Sequence, residues 1–124
     1  MTRDENPKRY DLEDRTFRFA QNVRAFVRKL PRTLSNIEDV KQLVRASGSV
    51  GANYIEANEA LSKKDFVMRA KICRKEAKES GFFLRLLCVA DKKELETTRA
   101  ALNQEAVELT SIFGAIVRKT EGNQ

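Results

Sequence analysis

Histidine and tryptophan are missing from this chain of 124 residues, and proline (two), glycine (five) and cysteine (two) are scarce. Without histidine the chain lacks the commonest general base at neutral pH, and it cannot form the Glu-x-x-His pairs that hold iron in helical carboxylate bundles. So few helix breakers leave long stretches free to stay wound. No run approaches the roughly 20 apolar residues that a membrane span needs, and the polar opening MTRDENPKRY has no apolar core of a secretory leader. A cytoplasmic protein with no membrane contact is expected. Cys73 and Cys88 fall fifteen positions apart in one expected helix. That separation is about 22 Å along the axis, too far for a bridge, so both are read as reduced, buried thiols.

Charge is what the chain has in quantity. Charged residues make up 34% and apolar residues 41%, the profile of a single helical domain. The net charge of +6 is uneven: residues 1–35 carry +4, 36–61 carry −2, 62–90 carry +5 and 91–124 carry −1. Two basic segments suit a polyanionic partner.

Apolar spacing defines four helices. Residues 1–10, polar and containing Pro7, are read as a flexible tail. From Asp11, a candidate cap, Leu12, Phe19, Val23, Phe26 and Leu30 form a stripe widened by Phe17, Ala20 and Val27, and Pro31 stops it. The second helix starts after Ser35 or Asn36 and runs through Ile37, Val40, Leu43, Val44, Ala46, Val50, Tyr54 and Ala57. It passes through RASGSVGANYIEANEA, residues 45–60, where Ser47 with Gly51 and Gly48 with Ala52 stand four apart. A mid-helix glycine costs roughly 1 kcal/mol against alanine, so an unbroken helix there implies that a neighbour, the third helix, needs the room. The competing reading is a loop at SGSVG that splits the helix.

Ser62 is expected to cap a third helix of about 28 residues, close to 42 Å long and ending near Asp91. Its seam, Phe66, Ala70, Cys73, Ala77, Ser80, Leu84 and Leu87, alternates steps of four and three. The fourth repeats Leu95, Leu102, Ala106, Leu109, Phe113 and Ile116 and frays in KTEGNQ. The expected fold is therefore all-α, an antiparallel up-down-up-down four-helix bundle over residues 11–119, followed by a flexible tail at 120–124.

QLVRASGSVGANYIEA (Gln42–Ala57), LSKKDFVMRAKICRKEAKESGFFLRLL (Leu61–Leu87), Pro31 closing the first helix and EAVELTSIF (Glu105–Phe113) together resemble the family of 23S rRNA-intervening sequence proteins. The likeness runs from Leu12 to Val117. It implies a four-helix bundle that assembles into a homopentameric ring. It also implies kinship with the accessory variability determinant of diversity-generating retroelements, a basic pentamer that binds nucleic acid and a reverse transcriptase. For most of the family no biochemical activity is established.

The candidate residues divide into two groups. Two Glu-x-x-Glu pairs, Glu56 with Glu59 and Glu76 with Glu79, have the spacing of metal-bridging carboxylates. A structural polar network explains them more simply, with Arg45, Asn53, Glu56, Arg69, Glu76 and Glu79 satisfying one another, so no metal, no cofactor and no enzymatic activity are expected. The basic residues Lys71, Arg74, Lys75, Lys78 and Arg85 on the third helix, with Arg24, Arg28 and Arg32 at four-residue steps near the first, form the candidate nucleic-acid-binding stripe. Tyr10, Phe82 and Phe83 are the aromatics with a chance of exposure for base stacking. The resulting expectation is a non-enzymatic oligomer that binds RNA or DNA, as an accessory to another protein such as a reverse transcriptase. The alternative is a protein-interaction scaffold that never touches nucleic acid.

Overall fold

The computed structural model describes residues 7–122, and side chains from residue 12 onward. Four helices follow one another: α1 (Pro7–Val27), α2 (Leu34–Asn58), α3 (Lys63–Leu86) and α4 (Lys93–Gly122). No strand occurs among the described residues. The core is one cluster built from every helix, with Phe19, Phe26, Leu43, Leu84, Leu109 and Phe113 fully buried.

Element ends differ from the periodic reading in instructive ways. Helix α1 runs back past Asp11 to Pro7, which occupies the first helical position, where a missing N–H removes no hydrogen bond. Residues 7–10 of the expected tail are thus helical, residues 1–6 lie outside the described residues, and so does the side chain of Tyr10. The helix ends at Val27, ahead of Pro31, and Lys29 N–H closes the turn on the Phe26 carbonyl at 3.0 Å. Helix α4 extends through Gly122, so 120–122 of the second expected tail are also helical, while 123–124 lie outside the described residues. Ser62 caps α3 as expected, its Oγ accepting from Asp65 N–H at 3.1 Å. Helix α3 stops at Leu86, giving 24 residues, and Cys88 therefore sits in the following loop, exposed rather than buried. In that loop Ala90 and Asp91 both take left-handed backbone angles, φ 55° and 59°.

Thr33, not Ser35 or Asn36, caps α2, its Oγ1 accepting from Asn36 N–H at 3.1 Å. The displaced Asn36 does something else. Its side chain is buried and its Nδ2 donates to the carbonyls of Pro31 and Cys88, both at 2.9 Å, while its Oδ1 accepts from Cys88 N–H at 2.9 Å. One amide thus ties the α1–α2 connection to the α3–α4 connection at the same end of the molecule. From α4, Arg99 donates to the Leu87 carbonyl and so satisfies the end of α3.

Helix α2 is continuous through SGSVG, but its glycines do not serve the third helix. A methyl on Gly51 would stand 3.0 Å from Thr16 Oγ1 and 3.3 Å from Thr16 Cβ, on α1. One on Gly48 would stand 3.1 Å from Arg24 Nη2, also on α1. Toward α3 the approach is made by other small residues: buried Ala46, Ala70 and Ala77, and Cys73, whose Sγ donates to the Val50 carbonyl at 3.4 Å. Burial pushes the Cys73 thiol up to about 12, so it stays a protonated donor. Helices α3 and α4 meet at Gly81, where a methyl would lie 3.6 Å from Ala106 Cβ. Phe17, expected to widen the core stripe of α1, is instead 61% exposed.

The seam between α1 and α4 is the thinnest. Two adjoining clefts of about 430 and 360 Å³ run along it, sharing Asn22, Ala101 and Leu102. An ionic clasp spans it: Arg15 Nε to Glu105 Oε2 at 2.7 Å and Arg15 Nη2 to Glu108 Oε1 at 2.7 Å. The hydrogen bonds that Arg15 donates to Glu105, more than those it donates to Glu108, hold its guanidinium above its ordinary value. Those from Gln104 and Arg15 hold the Glu108 carboxyl below its own.

Four outcomes follow from these contacts. Gly51→Leu, which must displace a buried threonine, should lower stability by about 1–3 kcal/mol. Gly48→Ala meets only the end of a flexible arginine and should be neutral or slightly stabilising; urea unfolding of the two variants checks the order. Asn36→Ala strands three backbone groups and should cost about 2–3 kcal/mol in the same assay. A carboxyl held low in the folded state contributes stability above its unfolded value and loses it as pH falls. Melting temperature should therefore drop below about pH 4.5, and less steeply in Glu108→Gln than in the parent chain.

Candidate nucleic-acid interface

Helix α3 sorts its charges by side. Its carboxylates turn toward α2, where Arg45 meets Glu76 Oε2 at 3.4 Å and Glu79 Oε1 at 3.0 Å. The hydrogen bond donated to Glu76, the largest influence, raises the Arg45 guanidinium above its ordinary value. Apart from Arg69, which reaches Asn53 on α2, the cations described here turn toward α4 and outward. Lys71 pairs with Glu121 at 3.1 Å, Arg74 lies beside Gly114, and Arg85 Nη1 donates to Asn103 Oδ1 at 3.4 Å. Acids on one flank and bases on the other follow from residue spacing: Glu76 and Glu79 fall three apart, and Lys71, Arg74, Lys78 and Arg85 are separated by three, four and seven.

The expected polar network is present in two pieces. Arg45, Glu76 and Glu79 form the first. In the second, Arg69 Nη1 donates to Asn53 Oδ1 at 3.0 Å and Asn53 Nδ2 donates to the Ser49 carbonyl at 2.9 Å. Glu56 belongs to neither: it is exposed at the end of α2 and has no side-chain partner among the described residues. It shares a helix face with Arg45, but eleven residues carry it about 16 Å along the axis, beyond the reach of the two side chains. Glu76 is buried, and its Oε1 has no hydrogen-bond partner among the described residues. No group of three or more metal-binding side chains occurs among them either.

The expected basic stripe is also redrawn. Arg24 is half-buried, with Nη1 donating to the Ala20 carbonyl at 3.0 Å and Nη2 to the Val44 carbonyl at 3.4 Å, so it clamps α1 to α2 rather than facing solvent. Arg28 and Arg32 are exposed but lie past the end of α1, which breaks the four-residue register assumed for all three. On α3, Lys75 and Lys78 are exposed, Arg74 is half-buried, and none of the three has an ion-pair partner among the described residues. Phe82 is 49% exposed, whereas Phe83 is half-buried against the core and stacks on it edge-on at 5.2 Å.

Arg118 on α4 is the basic residue the linear reading overlooked. It is exposed and has no carboxylate partner among the described residues; its Nη1 would stand 3.3 Å from a methyl on Gly114, and Arg74 Cδ would stand 3.7 Å from the same point. The four-residue step from Gly114 to Arg118 was available in the sequence, but the approach of the Arg74 stem to the same point was not, because the two arginines are far apart along the chain.

No helix among the described residues is long and apolar enough to cross a membrane. No curated protein matches the chain. Among solved structures, a protein of unknown function from the S23 ribosomal protein family of Bacteroides thetaiotaomicron is similar to it, with a TM-score of 0.76 and 26% identity over 90% of this chain and 98% of that one. The family model for the 23S rRNA-intervening sequence protein matches residues 8–114, which takes in the whole of α2 and α3 and most of α1 and α4. The chain belongs to the 23S rRNA-intervening sequence protein family.

Proposed function

We propose that this protein is a non-enzymatic, oligomeric four-helix module of the cytoplasm that binds nucleic acid, RNA or DNA, through the basic face shared by α3 and α4. The observation that carries this reading is the one-sided charge of α3: Arg74, Lys75 and Lys78, with Arg118 beside them, face away from α2 and have no carboxylate partner among the described residues. A field of unpaired cations attracts a polyanion and gains by releasing its counterions. The bundle is read as antiparallel and up-down-up-down, since residue numbers rise along one helix as they fall along its neighbour at the contacts described. Several copies, five by family likeness, would close into a ring and repeat the basic face around it. A role as accessory to a second protein such as a reverse transcriptase belongs to the same reading.

One observation favours the alternative, a protein-interaction scaffold. Met68, Phe82 and Leu86 are 46–51% exposed on the outward side of α3, in a row that Lys75 interrupts. Apolar side chains of this size suit a protein surface, including another copy of the chain.

Fluorescence polarisation with labelled RNA and DNA oligonucleotides separates the two. Affinity should fall by roughly a hundredfold between about 50 and 200 mM salt if some four phosphates are contacted. Absent binding, or binding indifferent to salt, leaves only the scaffold. Light scattering at micromolar concentration should show one closed assembly, and a monomer would remove the ring.

A further inference from the structure

The groove between α1 and α4 stays open because its rims carry small side chains. Asn22 and Ala25 on α1, and Thr98 and Ala101 on α4, are exposed and too short to close the seam. Beneath them lie the buried Phe26 and Leu102. The two clefts, about 430 and 360 Å³, have the size of pockets that hold apolar groups. Lys29 and Lys92 flank the end nearest the α3–α4 connection, and neither has a side-chain partner among the described residues.

The opposite side of the bundle carries the converse. Helices α1 and α3 each pack on α2 and α4 without touching each other, so the four stand at the corners of a square and the α2–α3 face lies across from the groove. On that side Phe82 and Leu86, near the end of α3, are 49% and 51% exposed, and Leu34 at the start of α2 is 90% exposed. Asn36 ties the start of α2 to Cys88, which brings Leu34 to the same end as Leu86. The row also matches the groove in height. Arg85 reaches Asn103, Gly81 lies beside Ala106 and Arg99 reaches the Leu87 carbonyl, so Phe82 and Leu86 stand level with residues 99–106 of α4. The groove is lined by residues 94–105 of that helix.

We infer that the row of Leu34, Phe82 and Leu86 on one copy docks in the α1–α4 groove of a second copy. This rests on the oligomeric reading proposed above and names the contact within it. A second copy covers both features at once, whereas any other occupant of the groove leaves the row bare in water. Charge agrees with shape. Glu38, one turn after Leu34 and on its side of α2, is an exposed carboxylate held only by Lys41 at 3.4 Å, and the unpaired Lys29 and Lys92 flank the groove at the matching end. Since the two surfaces lie on opposite faces, each copy offers its row to one neighbour and its groove to the other. Such a contact runs head to tail and closes as a ring where the rotation permits.

The test blocks each surface separately at an exposed position. Ala101→Arg fills the groove, Leu86→Arg disrupts the row, and light scattering at micromolar concentration reads the mass. Each variant alone should fall from the parent's assembly to a single chain. Mixed in equal amounts, they should form a dimer and nothing larger, because one copy keeps a working row and the other a working groove. A mixture that stays at the mass of one chain, or single variants that keep the parent's mass, overturns the contact and leaves the ring to another surface. A parent chain that is itself monomeric overturns both the contact and the oligomeric reading. If Ala101→Arg lowers the helical circular dichroism signal, Ala25→Arg on the other rim replaces it under the same outcomes. A groove variant of unchanged mass that loses affinity for labelled RNA assigns the groove to nucleic acid and likewise overturns the self-contact.

Discussion

Close approach of α2 to both of its neighbours is the constraint on which the bundle depends. A helix can come near two others only if it is narrow on two sides, and α2 achieves this with different residues on each. Toward α1 it offers Gly48 and Gly51, against Arg24 and Thr16. Toward α3 it offers Ala46 and the Val50 carbonyl, which accepts from the thiol of Cys73. Two glycines weaken the helix locally, yet winding survives because unwinding would expose Leu43, Val50 and Tyr54, all buried in the common core. Tertiary burial outweighs local propensity here, as it usually does in helical proteins.

The same packing sorts the charges. Once α2 takes one flank of α3, Glu76 and Glu79 on that flank find Arg45, and the cations on the opposite flank are left to α4 and the solvent. Helix α4 supplies one acid to that flank, Glu121, and one base, Arg118. Two of its other carboxylates, Glu105 and Glu108, turn the opposite way and hold Arg15 across the thin seam with α1. A chain of modest net charge thereby acquires a face on which positive charge is barely neutralised, and the proposed function follows from that sorting more than from the total.

Much of the architecture was readable from spacing alone. The buried stripes Leu12–Phe19–Val23–Phe26, Ala70–Cys73–Ala77–Ser80–Leu84 and Leu95–Leu102–Ala106–Leu109–Phe113 are those that steps of three and four mark out, and Ser62 caps α3 as a serine ahead of a helix should. Asn36 shows where such reading stops. By local rules it is a capping residue, and only the arrival of Cys88 from the far end of α3 turns it into a buried pin between two connections. Arg24 shows the same for the candidate interface: its spacing from Arg28 suggested a shared face, but a neighbouring helix took up its guanidinium.

By itself, then, the sequence determined that four helices form, which side of each is apolar, and how much positive charge the chain carries, because those depend on residues three and four apart and on composition. Only the tertiary structure decided which helix each glycine serves, that Arg74 and Arg118 both lie beside Gly114, and which arginines remain free. Those outcomes depend on the rotation of one helix about its axis relative to the next. That rotation is set by the packing of side chains distant along the chain, and no local periodicity encodes it.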